Sequence, residues 1–98
     1  MEITFKGHHI ELTDALKTRA IEKLQHLQHF SSHILNINVT FTVEKNTQKA
    51  EATLHIPGSN LHAVAESEDM YNSIDLLYEN LKRQLNKHHD KMTDHHHG

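Results

Sequence analysis

The stretch INVTFTVEKNTQKAEATLHIPGSNLHAVA, residues 37–65, decides the fold of this 98-residue chain. Apolar and polar residues alternate through three successive runs, which is the two-residue period of strands buried on one face. Residues 45–48 and the pair Pro57-Gly58 separate the runs and are typical of turns. The sequence therefore predicts three consecutive strands, the first two forming a hairpin. Their inward positions are Ile37, Val39, Phe41, Val43, Ala50, Ala52, Leu54, Ile56, Leu61, Ala63 and Ala65.

A strand and a helix are predicted before this stretch. Ile3 and Phe5 alternate with polar neighbours, which predicts a short strand over residues 2–6. Thr13 suits a helix N-cap because its side-chain oxygen can accept a bond from a free backbone amide. A helical period then continues to about His29. The residues of this stripe are Leu16, Ala20, Leu24 and Leu27.

A second helix follows the three strands. Ser67 is its predicted N-cap, and the apolar stripe behind it predicts a helix that ends near Lys91. The residues of this stripe are Met70, Ile74, Leu77, Leu81 and Leu85. Residues 93–98 lack an apolar pattern and are predicted to be a disordered, His-rich tail.

This order predicts an α+β fold, a βαβββα two-layer sandwich in which two helices cover one face of a four-stranded sheet. Residues 1–92 form a single domain in this interpretation. The other sheet face is predicted to meet water, through Asn38, Thr40, Thr42 and Glu51. The topology is similar to that of the double-stranded RNA-binding domain, which is an analogy of fold and not evidence of function.

The composition excludes several classes of protein. The chain has no cysteine, which excludes a disulfide framework and thiolate chemistry. No apolar run approaches the roughly 20 residues of a membrane span. The N-terminal residues lack the pattern of a secretory signal. We therefore expect a cytoplasmic protein without a membrane partner.

The charges are segregated along the chain, whose formal net charge is −3. Residues 66–79 carry five acids and no Lys or Arg, whereas residues 80–91 carry four of the ten Lys and Arg residues and one acid. Binding to a polyanion depends on the local field of a patch. The acidic total therefore does not exclude an RNA partner.

A helical wheel places Arg83, Lys87 and Lys91 on a ridge about 12 Å long that points away from the apolar stripe. Lys82 lies on one flank of this helix, and Arg19 and Lys23 lie together on the first helix. Two interpretations remain open. The bases can be a solvated helix face favoured by the helix dipole, or they can be a surface for RNA or phosphate.

The chain has twelve histidines and only three glycines. No HxxxH or HExxH motif lies on a predicted helix, so we predict no metal site. His26, His88 and His89 lie beside the basic residues, and we expect acidification to tighten polyanion binding. No phosphate loop or nucleophile elbow is present. We therefore predict a protein that is not an enzyme and has no cofactor.

The segment ATLHIPGSNLHAVAESEDMYNSIDLLYENLKRQLNKHHDK, residues 52–91, resembles the hibernation promoting factor / ribosome-associated inhibitor family of bacterial ribosome binders. Its marks are the triplet Asp69-Met70-Tyr71, the pair Ile74-Asp75 and the run LKRQL at 81–85. Residues 10–27, IELTDALKTRAIEKLQHL, are similar to the first helix of that family, and residues 43–56 to its hairpin. The resemblance covers about residues 1–92 and is greatest to the short forms.

The resemblance implies a βαβββα fold and a site on the small ribosomal subunit, in the channel where messenger and transfer RNA lie near the decoding centre. Binding there would block translation and stabilise inactive ribosomes and ribosome dimers in stationary phase. His89 departs from many relatives, which have Lys at that position. The residues implied to contact ribosomal RNA are Arg19, Lys23, Lys82, Arg83, Lys87, His88 and Lys91.

The long forms of the family carry a C-terminal domain that drives ribosome dimerisation, which the short forms lack. The resemblance therefore implies that ribosome dimerisation needs a separate partner, the ribosome modulation factor. We also expect the protein to be a monomer off the ribosome. Two other interpretations remain. One is a protein–protein regulator, similar to a sigma-factor modulator, that uses the open sheet face. The other is a general binder of double-stranded RNA.

Overall fold

The computed structural model contains four strands, two α-helices and one 3₁₀ helix. It describes residues 1–95, and for residues 89–95 it describes the backbone alone. The elements are β1 (Glu2–His8), α1 (Asp14–Leu24), the 3₁₀ helix (Gln25–His29), β2 (Asn36–Glu44), β3 (Thr47–Ile56), β4 (Ser59–Ser67) and α2 (Met70–His95). This order confirms the predicted βαβββα fold.

The sheet has the order β1-β2-β3-β4. β1 runs parallel to β2, and the other neighbours are antiparallel. The register aligns Phe5 with Val39, Val39 with Ala52, and Ala52 with Ala63. One row of inward side chains thus crosses all four strands, as the alternation of the sequence predicts.

Both turns of the β2-β3-β4 meander contain two residues. Glu44 pairs with Thr47, so the first turn is shorter than the predicted 45–48, and Lys45 adopts a positive φ of 55° within it. Ile56 pairs with Ser59 around Pro57 and Gly58, whose φ is 77°. A side chain at Gly58 would meet open space, so the turn requires glycine for its backbone conformation.

The core lies between the sheet and the two helices. α2 packs against β4 and β3, and α1 packs against α2. Ile74, Leu77 and Leu81 of α2 are fully buried. Burial of each such side chain is worth about 1.5–3 kcal/mol relative to exposure. The facing sheet residues are small, which lets α2 approach closely: Ala50, Ala52, Ala63 and Ala65.

The first helix begins as predicted but ends earlier. The Thr13 side chain accepts a hydrogen bond from the Leu16 amide (3.1 Å), which confirms the N-cap. The α-helix stops at Leu24, and a 3₁₀ helix continues to His29. Leu24 and Leu27 are both fully buried. Since a 3₁₀ helix aligns residues three apart, the tighter turn keeps both leucines in the core.

The predicted N-cap of α2 was wrong. Asp69 caps this helix, because its Oδ2 accepts a hydrogen bond from the Asn72 amide (3.2 Å). Ser67 is the last residue of β4. The Ser67 hydroxyl lies 2.7 Å from that of Ser73, which donates to the carbonyl oxygen of Gln48 (2.6 Å). These contacts join the start of α2 to β3 and β4.

The end of α2 also differs from the prediction. The helix continues to His95 and does not end near Lys91. Residues 86–95 contain no glycine or proline that would interrupt a helix. Residues 93–95 are therefore helical, and residues 96–98 of the predicted disordered tail lie outside the described residues.

The second face of the sheet carries the predicted polar residues. Asn38 is exposed, and Thr40 and Glu51 are half-buried. Thr42 is only 8% exposed, which differs from the prediction. It lies on an inner strand between His8 and Lys49, whose longer side chains flank it in the register.

Candidate nucleic-acid interface

Basic residues of α1 and α2 meet around one aromatic ring, that of Tyr78. The Lys23 ammonium lies 5.0 Å from the ring centroid, and the Lys82 ammonium lies 5.9 Å from it. Such positions allow cation–π attraction. We call Arg19, Lys23 and Lys82 the cationic seam. Its members come from both helices, as expected if α1 and α2 pack side by side.

Asp75 of α2 forms ion pairs with the two α1 members of the seam, Arg19 and Lys23. Its Oδ1 lies 3.3 Å from Arg19 Nη2 and 3.9 Å from Lys23 Nζ. Arg19 is close to both carboxylate oxygens, since Oδ2 lies 3.4 Å from the same nitrogen. The Asp75 and Arg19 side chains are 39% and 46% exposed, so the pair stabilises the fold little, by about 0–1 kcal/mol. The Asp75 carboxylate also lies beside both basic side chains and offsets part of their positive charge.

Arg83 and Lys87 lie on the outer side of α2. Both are exposed, whereas Leu81 and Leu85 on the inner side are buried. Within the described part of the chain, neither base forms an ion pair with an acid. We call this pair the basic ridge. The adjacent Lys82 joins the ridge to the cationic seam, although its ammonium also lies 3.5 Å from Glu79.

Two of the predicted contact residues, Lys91 and His88, belong to neither the cationic seam nor the basic ridge. Lys91 is a residue of α2, but its side chain is not among those that the structure describes. The same holds for His89. His88 is half-buried and lines a groove with His29 and Phe30. The structure thus places six of the seven predicted side chains, of which His88 alone faces this groove.

Sequence reasoning missed the aromatic residues of this surface. Tyr78 and Phe30 lie outside the apolar stripes, and both carry the Lys82 ammonium over their rings, at 5.9 and 5.8 Å. His26 stacks on His29 with 5.8 Å between ring centroids and meets Tyr78 edge-on at 6.5 Å. The contact of Tyr78 with Lys82 could have been predicted from their i, i+4 spacing on the helix.

A second polar surface is the open face of the sheet. Thr4 Oγ1 donates to Asn38 Oδ1 (2.6 Å), Asn38 Nδ2 lies 3.2 Å from His55 Nε2, and His55 Nδ1 lies 2.7 Å from Asn60 Oδ1. A neutral His55 with its proton on Nδ1 satisfies both of its neighbours. The chain of contacts crosses all four strands, so many of the polar groups here already have partners.

Among the described residues, no three His, Asp or Glu side chains lie close enough together to hold a metal ion. No helix in this part of the chain is both long and apolar enough to cross a membrane.

Comparisons with known proteins show which family and which solved structures this chain resembles. The family model described as Sigma 54 modulation protein / S30EA ribosomal protein matches residues 3–93. A ribosome hibernation promoting factor of Azotobacter vinelandii is 45% identical over 96% of this chain and 88% of its own length. One from Klebsiella oxytoca is 41% identical over 97% of this chain and its full length.

Solved structures have the same fold. A ribosomal subunit interface protein from Coxiella burnetii has a TM-score of 0.88 and 34% identity, over 92% of this chain and 99% of that one. The N-terminal domain of Protein Y from Thermus thermophilus has a TM-score of 0.84 and 26% identity, over 89% and 98%. Both similarities extend over nearly the whole βαβββα unit.

Proposed function

Because the chain belongs to the Sigma 54 modulation protein / S30EA ribosomal protein family, we propose that it is a ribosome hibernation factor. It binds the small ribosomal subunit in the channel for messenger and transfer RNA near the decoding centre. Its presence there blocks translation and stabilises inactive ribosomes and ribosome dimers in stationary phase. The observation that supports this site is the convergence of α1 and α2 bases at Tyr78.

The proposed contact residues are the cationic seam, the basic ridge, Lys91 and His88. The seam and the ridge present positive charge from two packed helices, a rigid arrangement suited to a rigid channel of phosphates. Each phosphate contact releases counterions, so the logarithm of the binding constant falls by about 0.7–0.9 per contact for each logarithmic unit of salt. A few aligned bases can therefore supply much of the affinity.

Further features of this proposal concern the protein in the cell. It acts in the cytoplasm, as a monomer off the ribosome, and residues 1–92 bind as one unit. Its functional partner in forming ribosome dimers is the ribosome modulation factor. The acidic remainder of the chain, which gives a net charge of −3, limits attachment to unrelated RNA.

Co-sedimentation with purified ribosomal subunits tests the proposal. We expect the wild-type protein to pellet with the small subunit at low salt and to dissociate as salt rises. The double variant Arg83→Glu/Lys87→Glu should remain in the supernatant, because it replaces two phosphate contacts with two repulsive charges. A loss of about 100-fold or more in affinity is expected if each contact contributes about one logarithmic unit.

A matched control is Lys6→Glu/Lys45→Glu, which makes the same change of charge at two exposed positions away from both helices. This control should pellet like the wild type. If both double variants pellet equally well, the ridge is a solvated helix face and the proposed site is wrong.

The description of the family also names sigma 54 modulation, which keeps the protein–protein alternative in view. A regulator of that kind would use the open sheet face, and Arg83→Glu/Lys87→Glu would leave its activity intact. A general binder of double-stranded RNA would hold a free duplex as tightly as it holds small subunits. The same sedimentation assay with a duplex competitor separates these cases.

A further inference from the structure

A groove opens between the end of the 3₁₀ helix, the β3-β4 turn and the second half of α2. Its main lining residues are His29, Phe30, His33, Ile56, Pro57 and His88. Its volume is about 600 Å³. This volume lies within the usual range of ligand sites, roughly 300–1,000 Å³. We call it the Phe30 groove.

The walls of the Phe30 groove are held in place by local bonds. The Phe30 amide donates to the Leu27 carbonyl oxygen (3.0 Å), and the Ser31 hydroxyl accepts from the His33 amide (3.3 Å). Phe30 also packs on the hydrophobic core. The aromatic ring is therefore presented by a bonded and packed segment, which lowers the cost of ordering it on binding.

The groove has basic and polar side chains around it and no acid along its described lining. Among the described residues, no Asp or Glu lines it, whereas three histidines do. The Lys82 ammonium lies 5.8 Å above the Phe30 ring. Lys82 is also a member of the cationic seam, so the groove continues directly from the positive surface of the two helices. A ligand for such a site has a flat apolar part next to an anionic part.

We propose that the Phe30 groove binds one unpaired nucleotide of RNA, with its base against Phe30 and its phosphate beside Lys82. A base offers an aromatic face to the Phe30 ring and hydrogen-bonding edges to the side chains around it. The hydroxyls of Ser31 and Ser32 and the amide of Gln28 provide donors and acceptors for these edges. A duplex offers its phosphates to the seam but keeps its bases stacked and out of reach.

This proposal rests on the proposed function, because it takes RNA as the partner. It adds a preference for an unpaired nucleotide over a paired one. The cationic seam and the basic ridge bind backbone phosphates without regard to pairing. The Phe30 groove accepts only a base that is free of its stack. It thus selects a place on the ribosomal RNA where a single-stranded nucleotide lies beside the helical backbone.

A hexaribonucleotide that carries 2-aminopurine at its centre tests the groove, with its annealed duplex as the comparison. The wild-type protein should change the 2-aminopurine emission on binding the single strand, because the base stacks on Phe30. Phe30→Leu keeps an apolar side chain but loses the stacking face. We expect it to weaken single-strand binding about tenfold, since stacking of one base on an aromatic side chain has roughly this effect. The salt dependence should stay as in the wild type.

Phe5→Leu is the matched control, because Phe5 is another half-buried phenylalanine and lies on β1. A second variant, His33→Glu, places a negative charge in the groove from an exposed loop position. It should also weaken single-strand binding, whereas His8→Glu on β1 should not. Thermal unfolding of each variant checks that the fold is intact.

The proposal is overturned if folded Phe30→Leu and His33→Glu bind the single strand like the wild type. It is also overturned if the single strand and the duplex bind with equal affinity and neither changes its 2-aminopurine emission on binding. Sedimentation with small subunits separates this result from the proposed function. Oligonucleotide binding in the groove without subunit binding would refute the ribosomal function alone, and subunit binding that is insensitive to both variants would refute the groove alone.

Discussion

At the scale of single residues, Asp75 decides how freely the α1 bases can meet a phosphate. It lies within 4 Å of both Arg19 and Lys23 and is itself part of the surface that they form. A phosphate that approaches this half of the seam must compete with the carboxylate. Lys82 pairs with an acid as well, whereas Arg83 and Lys87 form no ion pair among the described residues.

We expect Asp75→Asn to tighten binding to an unrelated RNA duplex. The change removes a negative charge and frees two bases, so the slope of log affinity against log salt should steepen by about one to two units. The measurement is a fluorescence titration over a salt series. Asp14→Asn is the control, because Asp14 lies 4.0 Å from Lys17 on another part of α1. An unchanged slope would mean that Asp75 does not compete with phosphate.

At the scale of elements, α2 carries both the core and the binding surface. Its inner side buries Leu77 and Leu81, and its outer side presents Arg83 and Lys87. A change in how α2 sits on the sheet would therefore move the bases relative to α1. The small alanines of β3 and β4 fix that position, because they let the helix approach the sheet closely.

The start of α2 depends on Asp69, and we expect Asp69→Ala to lower the free energy of unfolding by about 0.5–2 kcal/mol. The reason is the loss of the bond that its carboxylate accepts from the Asn72 amide. Urea unfolding measures the change. Glu68→Ala, at the exposed neighbouring position, should alter stability by less than about 0.5 kcal/mol. Equal losses in both variants would show that Asp69 is not the cap.

Much of this fold was predictable because alternation and helical period report burial directly. The boundaries of the helices and strands were less predictable. Ser67 and Asp69 are both good N-cap residues, and only the length of β4 decides between them. The 3₁₀ helix after Leu24 brings Leu27 into the core, and this depends on tertiary packing that the local sequence does not show. In the site, the wheel predicted the basic ridge, but Tyr78, Asp75 and Phe30 are brought to the bases by packing between elements that are distant in sequence.

At the scale of the whole molecule, positive charge collects on the two-helix layer although the chain is acidic overall. The histidines can strengthen this difference. His26 contacts His29 and Tyr78 at the cationic seam, and His88 lines the Phe30 groove. A proton gained by one of these side chains would add positive charge beside the bases.

We therefore predict tighter binding to small subunits at pH 6.0 than at pH 7.5 and fixed salt. His26→Gln/His88→Gln should reduce the rise, because it removes two imidazole side chains beside the bases. The control His8→Gln/His62→Gln changes two exposed histidines on the strands and should keep the rise. Sedimentation at both pH values measures the effect, and equal affinity of the wild type at the two values would contradict it.

The chain order of this fold has a consequence for when the protein becomes active during its own synthesis. β1 pairs with β2 across 34 positions of sequence, and α2, which follows all four strands, closes the core and supplies the ridge. The nascent chain therefore has neither a complete core nor a complete binding surface until residues of α2 have left the ribosome. The surface proposed to bind phosphates thus forms only together with the core, and a partly made chain cannot present it.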